Sequence, residues 1–490
     1  MKYLLGIDFG GGASKATLLS EDGKVAAVNT VEYPTYYPQM GYAEQNPEDW
    51  VNATYENIKG VLEKSGVSSD DISAIAIDAA THTAVIMDES FNVLRPAIYW
   101  TDTRSVKEVA FLKENYGDTI KKQVLHEADT IWSLPELLWV KNNEPDVWKK
   151  TEKILFAKDY VRHQLTGDYV TDFIEAEGSM MFDVTTMKWS EELCGILDIK
   201  TEKLPKIIRP KDIVGGVTAE AAKKTGLKEG TAVICGTTDT VMEVFAAGAT
   251  EKGQMTLKLA TAGRICVITE KAYPDKNLIN YSHISSGLFY PGTATKSCAA
   301  SYRWFRDKFG GDYAELDKKA AEIEIGCEGL VFHPYLNGEL TPYANPDLCA
   351  DFVGIRSLHT KFHFARAVLE GVAMSMLDCK TALEKLNIYH DDSAVIIGGG
   401  GKSPLWRQMI SDALGIKLRV MEQSDSSFGS AMLAGVATGA FGSFKEAVEI
   451  CNKPVLEVTP NMENNKKYQK LFKRYKAIQK ALEPIYNEEG

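Results

Sequence analysis

Asp8 closes the apolar run Tyr3-Leu4-Leu5-Gly6-Ile7, and Phe9-Gly10-Gly11-Gly12 follows it. Ala13 to Leu19 then reads as a second strand that leaves the turn at once. Glycines lack a Cβ, so a backbone there can approach phosphate oxygens and aim N–H groups at them. A carboxylate beside such a turn suits the Mg²⁺ that accompanies a nucleotide, held through water. The competing reading is an ordinary hairpin with an exposed Asp. Two better-known nucleotide motifs fail here. A dinucleotide fingerprint needs a glycine where Lys15 stands and a helix where Ala16-Thr17-Leu18-Leu19 reads as strand. The run Ile396 to Ser403 misses a P-loop, because Ile396 occupies the first glycine position and Pro404 follows the Ser.

A second candidate carboxylate, Asp239, lies in the small-residue loop Gly236-Thr237-Thr238 after the strand Val233-Ile234-Cys235. It can serve as a general base or as the cap of a helix through Val241–Ala247. A third candidate is Gly398-Gly399-Gly400-Gly401, before Ser403 as N-cap and Pro404 at the first helical position. A helix start preceded by glycines is a natural anion or ribose site.

The elements that must position these groups read as follows. The first hairpin continues through Glu21–Lys24 into Val25–Val28, an antiparallel meander. A helix covers Pro47–Lys64, buried strands cover Ile72–Asp78 and Ala84–Met87, and another helix runs near Leu134–Asn142. The opening pattern returns at Met255–Ile268: strand, small-residue turn, strand. With a boundary at Gly248–Gly253, the halves 1–248 and 249–490 each begin with such a hairpin, which predicts a duplicated α/β unit. A long helix is expected over Phe362–Leu386, a strand over Ala394–Ile397, and an amphipathic C-terminal helix at about 461–484. In that last helix Tyr468, Leu471, Phe472, Tyr475, Ile478 and Leu482 share one face, as a docked helix with a solvated basic side would have them.

Composition narrows the field. A chain of 490 residues is too long for one core. A net charge of -12 disfavours nucleic acid and anionic membrane as partners. No uninterrupted apolar stretch is long enough to span a bilayer, and Asp8 breaks the N-terminal run too early for a signal peptide. Eight dispersed cysteines without a C-x-x-C pair fit a reducing cytoplasm and no zinc site.

These residues, in this order, resemble the FGGY family of carbohydrate kinases, and within it the xylulokinases, from about residue 3 to about residue 445. The motifs are Gly6-Ile7-Asp8-Phe9-Gly10, Arg95 to Arg104, Ala157-Lys158-Asp159-Tyr160, Pro334 to Pro342, Ala365 to Val372, and Gly398-Gly399-Gly400. The resemblance implies an α/β fold of two ribonuclease-H-like (actin-like ATPase) domains flanking a central cleft. It implies ATP-dependent phosphorylation of a sugar hydroxyl with Mg²⁺, D-xylulose becoming the 5-phosphate. The same chemistry on another pentulose, a deoxy sugar, gluconate or a polyol stays open. So do two other classes, an actin-like ATPase and a non-catalytic sugar sensor. Paired copies are common in the family.

The resemblance also assigns roles. Asp239 becomes the catalytic base. Asp8 is placed near Mg²⁺, with Asp239 as a second candidate. Gly10, Gly11, Gly12 and Lys15 form the first phosphate turn, and Thr261 and Gly263 the second. Ala299, Arg303, Gly399, Gly400 and Ser403 fall on the nucleotide side. Thr81, His82, Trp100, Asp102, Arg104, Asp239 and Thr240 fall on the sugar side. The chain departs from the family at Ala80-Thr81, at Thr240, at Gly11-Gly12, where a Thr or Ser hydroxyl is usual, and at Ala260.

Overall fold

Tyr3–Phe9 forms β1, whose residues Leu4 to Ile7 are buried on both faces, so the strand runs through the middle of a sheet. A computed structural model describes residues 1–275 and 278–487. The chain divides into two units: Met1–Gly248 with Tyr281–Gly287 and Gln423–Lys453, and Ala249–Asn280 with Leu288–Glu422 and Pro454–Gly490. This corrects a single cut after residue 248. The segment Gln423–Lys453 belongs with the first unit because its helix, Ser426–Thr438, packs on β1. A Cβ at Gly6 would lie 1.9 Å from the Ser427 carbonyl and 2.3 Å from the Ala431 nitrogen, so only glycine lets the two backbones meet.

The first unit holds a seven-stranded sheet. Its strands are β1, β2 (Ala13–Ser20), β3 (Val25–Glu32), β4 (Ile72–Ala79), β5 (Ile213–Gly216), β6 (Ala232–Ile234) and β7 (Thr237–Thr238). The order is β5-β6-β4-β1-β2-β3, with β7 continuing alongside β4 beyond β6. β1, β2 and β3 form the expected meander, while β4 runs parallel to β1 and β6 and β7 run parallel to β4. The strand Ala84–Met87 stays out of this sheet and pairs with Lys153–Phe156.

The second unit holds a six-stranded sheet: β8 (Met255–Leu259), β9 (Gly263–Val267), β10 (Gly292–Thr295), β11 (Ser393–Ile397), β12 (Lys417–Met421) and β13 (Pro454–Val458). Its order is β10-β9-β8-β11-β12-β13. Both sheets follow one plan: three antiparallel strands, two parallel additions, and a final antiparallel edge. Each unit is therefore the same α/β device, a ribonuclease-H-like layer begun by a hairpin.

Local chemistry sets the helix limits. Asn46 caps the helix Pro47–Ser65, which has Pro47 in its first turn, and Ser403 caps Pro404–Leu414. The C-terminal helix spans Met462–Asn487, and Tyr468, Leu471 and Tyr475 are buried in the second unit's core beside Trp406 and Phe332. No helix among the described residues is long and apolar enough to cross a membrane.

Candidate active site

The parallel strands β1, β4 and β7 bring three carboxylates to one end of the first sheet. Asp8 is in register with Asp78, Thr237 is in register with Asp78, and Asp239 follows β7 as the first residue of the helix Asp239–Ala246. Thr237 is thus two strand spacings, about 10 Å, from Asp8, and Asp239 follows two residues on. Sequence reasoning missed Asp78. It reads as the last residue of an apolar strand, and only the register reveals its neighbour.

Asp8 is half-buried and Asp78 fully buried, and Oδ1 of each is buried without a hydrogen-bond partner. Oδ2 of Asp78 accepts a 2.5 Å hydrogen bond from the Ser430 hydroxyl. Burial pushes the Asp8 carboxyl up to about 6, and the charges of Asp425 and Glu243 add to the rise. Burial, and then the charge of Asp8, push Asp78 well above the usual carboxylate range. Two adjacent buried carboxylates cannot both ionise cheaply, so Asp78 keeps the proton and Asp8 is the anion. The unpartnered oxygen of Asp8 is the kind of donor that a hard divalent cation such as Mg²⁺ takes, with waters and phosphate oxygens as its other ligands.

At the turn, the carbonyls are already engaged. Gly10 O accepts from the Tyr33 hydroxyl (2.5 Å), Gly11 O from Thr35 Oγ1 (2.7 Å) and Gln45 Nε2 (3.0 Å), and Gly12 O from the Tyr33 N–H (3.0 Å). The N–H groups of Gly11 and Gly12 have no protein acceptor among the described residues. Lys15 stands opposite Asp8 across β1 and β2 and pairs with Asp425 at 3.2 Å.

Asp239 Oδ1 accepts from the N–H of Thr240 at 2.5 Å and lies 3.2 Å from its hydroxyl. The strand before it is anchored by a buried ion network. Lys158 Nζ lies 2.5 Å from Asp159 and 2.9 Å from Asp172, while Arg162 pairs with Asp159 (2.7 Å) and Asp168 (2.8 Å). Asp172 accepts from the Thr237 hydroxyl at 2.8 Å, and Arg162 donates to the Cys235 carbonyl at 2.7 Å. The motif Ala157-Lys158-Asp159-Tyr160 thus acts on Asp239 through β7.

On the sugar side, His82 is buried and its two ring nitrogens have no partner. Its backbone is fixed: the N–H donates to Glu175 (2.8 Å), and the Ser133 hydroxyl donates to its carbonyl. The ring lies 4.5 Å from Trp132 and 6.3 Å from Tyr281, centroid to centroid, with His126 stacked on the other side of Trp132 at 4.7 Å. Burial, and then His126, hold the His82 imidazole well below its usual range, so it is neutral. A neutral imidazole can donate from one nitrogen and accept at the other, and here both nitrogens are buried without a hydrogen-bond partner, Nδ1 against Gly178. Half-buried Thr81 precedes it. Trp132, His126, Tyr281 and Glu175 escaped the sequence reading. They come from distant segments, and their one local trace is the paired acids Glu175 and Glu177 before Gly178.

Gly178 packs against the His82 ring. A Cβ there would sit 1.7 Å from His82 Nδ1. Gly178→Ala is expected to displace the ring and raise the sugar KM at least tenfold, with nucleotide affinity unchanged; sugar titration calorimetry checks it. Glu177 is buried against the Ser282 N–H (3.0 Å), and burial pushes its carboxyl up to about 7. Its unfolded-state value is about 4.5. The folded form therefore holds a proton that the unfolded chain has released, and stability falls as pH rises from about 5 through about 7. Glu177→Gln is expected to flatten that fall, as measured by calorimetric melting between pH 5 and 8.

Asp102 and Arg104 are engaged by the protein itself. Asp102 binds the Arg104 guanidinium (2.7 Å) and N–H (2.8 Å) and accepts from the Ala43 N–H (2.6 Å), while Arg104 also pairs with Glu44 (2.8 Å) and stacks on Tyr42 (3.8 Å). Both brace the loop that carries Trp100, which is 44% exposed.

Of the second-unit residues expected at the nucleotide, Thr261 is exposed at the turn between β8 and β9. The Thr261 and Ala260 carbonyls accept from the N–H groups of Cys298 (3.0 Å) and Ala299 (2.8 Å), so the N–H of Ala299 is not open to a ligand. Arg303 is exposed one turn further along. Gly263 is dictated by packing, since a Cβ would meet Thr295 at 2.7 Å and Met376 at 2.8 Å. Gly399 faces open space, whereas Gly400 packs on Leu259. The Ser403 hydroxyl is committed, donating to Asp317 (2.6 Å) and capping the Trp406 N–H (3.1 Å).

Comparison with known proteins matches this arrangement. The N-terminal domain model of the FGGY family of carbohydrate kinases covers residues 3–246, and the C-terminal model covers residues 231–438. The chain is 33% identical over 488 residues to the xylulose kinase of Bacillus subtilis, spanning 98% of this chain and 97% of that one. It is 30% identical to the gluconokinase of the same organism, spanning 99% and 97%. The crystal structure of ligand-bound xylulose kinase from Lactobacillus acidophilus superposes with a TM-score of 0.94 at 26% identity, covering 100% of both chains. Two family models over most of the length, and relatives matched end to end, make this chain a member of the FGGY family of carbohydrate kinases.

Proposed function

We propose that the chain transfers the γ-phosphoryl group of MgATP to the terminal hydroxyl of D-xylulose, giving D-xylulose 5-phosphate. The observation that carries the reading is His82: buried, neutral, unpartnered at both nitrogens, and walled by Trp132 and Tyr281. Such a pocket offers hydrogen bonds to hydroxyls and flat faces to C–H edges.

Phosphoryl transfer asks for alignment, charge neutralisation and a proton acceptor. Asp239 takes the proton of the acceptor hydroxyl. Asp8 holds the metal ion through water, and the Gly11 and Gly12 N–H groups face phosphate oxygens, with Lys15 beside them. Bound MgATP supplies the electrophilic phosphorus and a cation to offset its charge. The protein is proposed to act in the cytoplasm.

Gluconate is the second reading, since gluconokinases are among the relatives. The groups against His82 speak for a neutral polyol: aromatic rings, the His126 imidazole, and Glu175 at the His82 backbone N–H. A panel of ATP-consumption assays with D-xylulose, D-ribulose, D-gluconate and glycerol tests this, with the phosphorylated position read by NMR. D-xylulose should give the highest kcat/KM; preference for gluconate would overturn the assignment.

A further inference from the structure

The glycine turn has no side chain of its own to offer a phosphate, yet a hydroxyl stands against it. An ideal Cβ at Gly11 would lie 3.0 Å from Tyr99 Oη. None of Gly10, Gly11 and Gly12 adopts a left-handed φ, so their backbones would accept other residues. At Gly11 the neighbour that limits a side chain is this phenol.

Tyr99 is held in place from several sides. Its N–H donates to Ala43 O (2.9 Å), and its carbonyl accepts from the Asp102 N–H (2.7 Å). Its ring packs with Ala43 and Ala80 and is 6% exposed. The Asp102–Arg104 pair thereby fixes the phenol, which gives those two residues a purpose. Burial raises the Tyr99 hydroxyl above its usual range, and the charges of Asp239 and Asp8 add to this, so it carries its proton. No protein acceptor takes that proton among the described residues. The neighbouring Trp100 indole can only donate. Tyr33, the other phenol at the turn, is already spent on the Gly10 carbonyl.

We propose that Tyr99 Oη donates a hydrogen bond to the phosphate oxygens at the Gly10–Gly12 turn, supplying from the Tyr99 loop the side-chain donor that the turn lacks. The proposal rests on the nucleotide reading given above. Charge-assisted hydrogen bonds to phosphoryl oxygens are shorter and stronger than neutral ones, so one such donor is a measurable loss.

Tyr99→Phe removes the oxygen and keeps the ring. The affinity for Mg²⁺ with a non-hydrolysable ATP analogue should fall 5- to 20-fold by titration calorimetry. kcat should fall at least tenfold, and the D-xylulose Kd should stay within twofold. A second pair of variants moves the hydroxyl. Tyr99→Leu clears the space, and Tyr99→Leu with Gly11→Ser returns an oxygen to the turn. The double variant should regain at least half of the nucleotide affinity lost by the single one, and Gly11→Ser alone, crowded by the phenol, should bind less tightly than the parent. Tyr99→Phe with nucleotide affinity and kcat within twofold of the parent would overturn the proposal. Asp8→Asn, run in parallel, separates the two claims: loss in that variant alone removes the Tyr99 role and leaves the nucleotide reading, whereas no loss in either removes both.

Discussion

Asp239→Asn should cut sugar-dependent turnover by about 10²- to 10⁴-fold, the usual contribution of a positioned general base. The substitution keeps the size of the side chain and keeps an oxygen to accept from the Thr240 N–H. Helix Asp239–Ala246 retains its start, and the anchoring of β7 through Thr237 and Asp172 does not involve the changed group. Binding of D-xylulose and of nucleotide should therefore survive within a few fold. Only the proton acceptor is lost. A coupled assay for ADP release reads the turnover, and calorimetry reads the two affinities. Turnover within tenfold of the parent would remove Asp239 from the role of base.

Lys158→Met should give the largest loss of stability. Lys158 is fully buried between Asp159 and Asp172, and those two carboxylates hold it protonated against its burial. Removing one partner of a buried ion pair costs about 3–5 kcal/mol; here Asp172 is left without a counter-ion, while Asp159 keeps Arg162. Asp172 has two further tasks here. It caps the helix Phe173–Gly178, whose last residue packs on His82, and it binds the Thr237 hydroxyl two residues before Asp239. A lower urea midpoint is expected, together with reduced kcat in whatever remains folded. An unchanged midpoint would mean that the network is less tightly coupled to the fold than its burial implies.

The parts of this molecule legible in the sequence were those fixed by local pattern. The hairpin around Gly10–Gly12, its echo at Met255–Ile268, and the cap at Ser403-Pro404 depend on neighbours a few residues apart. The site was only partly legible, because its chemistry is set by register and by long-range approach. Asp78 becomes a partner of Asp8 only through parallel pairing. Trp132 and Tyr281 meet His82 from segments roughly fifty and two hundred residues away along the chain. The glycines taught the converse lesson. Gly263, which reads as a ligand-facing position, is small because Thr295 and Met376 leave it no room. Gly178, which attracted no notice, makes space for the imidazole. Asp102 and Arg104 are sugar-side positions by the family resemblance alone, and the structure adds that the two pair with each other.

The helix Ser426–Thr438 that closes over Gly6 has a bearing on how the protein is made. Ribosomes add about 5–20 residues per second, so the first strand waits on the order of tens of seconds for its cover. Throughout that interval an apolar sheet surface of the emerging half stands bare. A nascent chain in this position is a client for holding chaperones, and a gene truncated after codon 248 would yield a fragment prone to clump rather than a working half-enzyme.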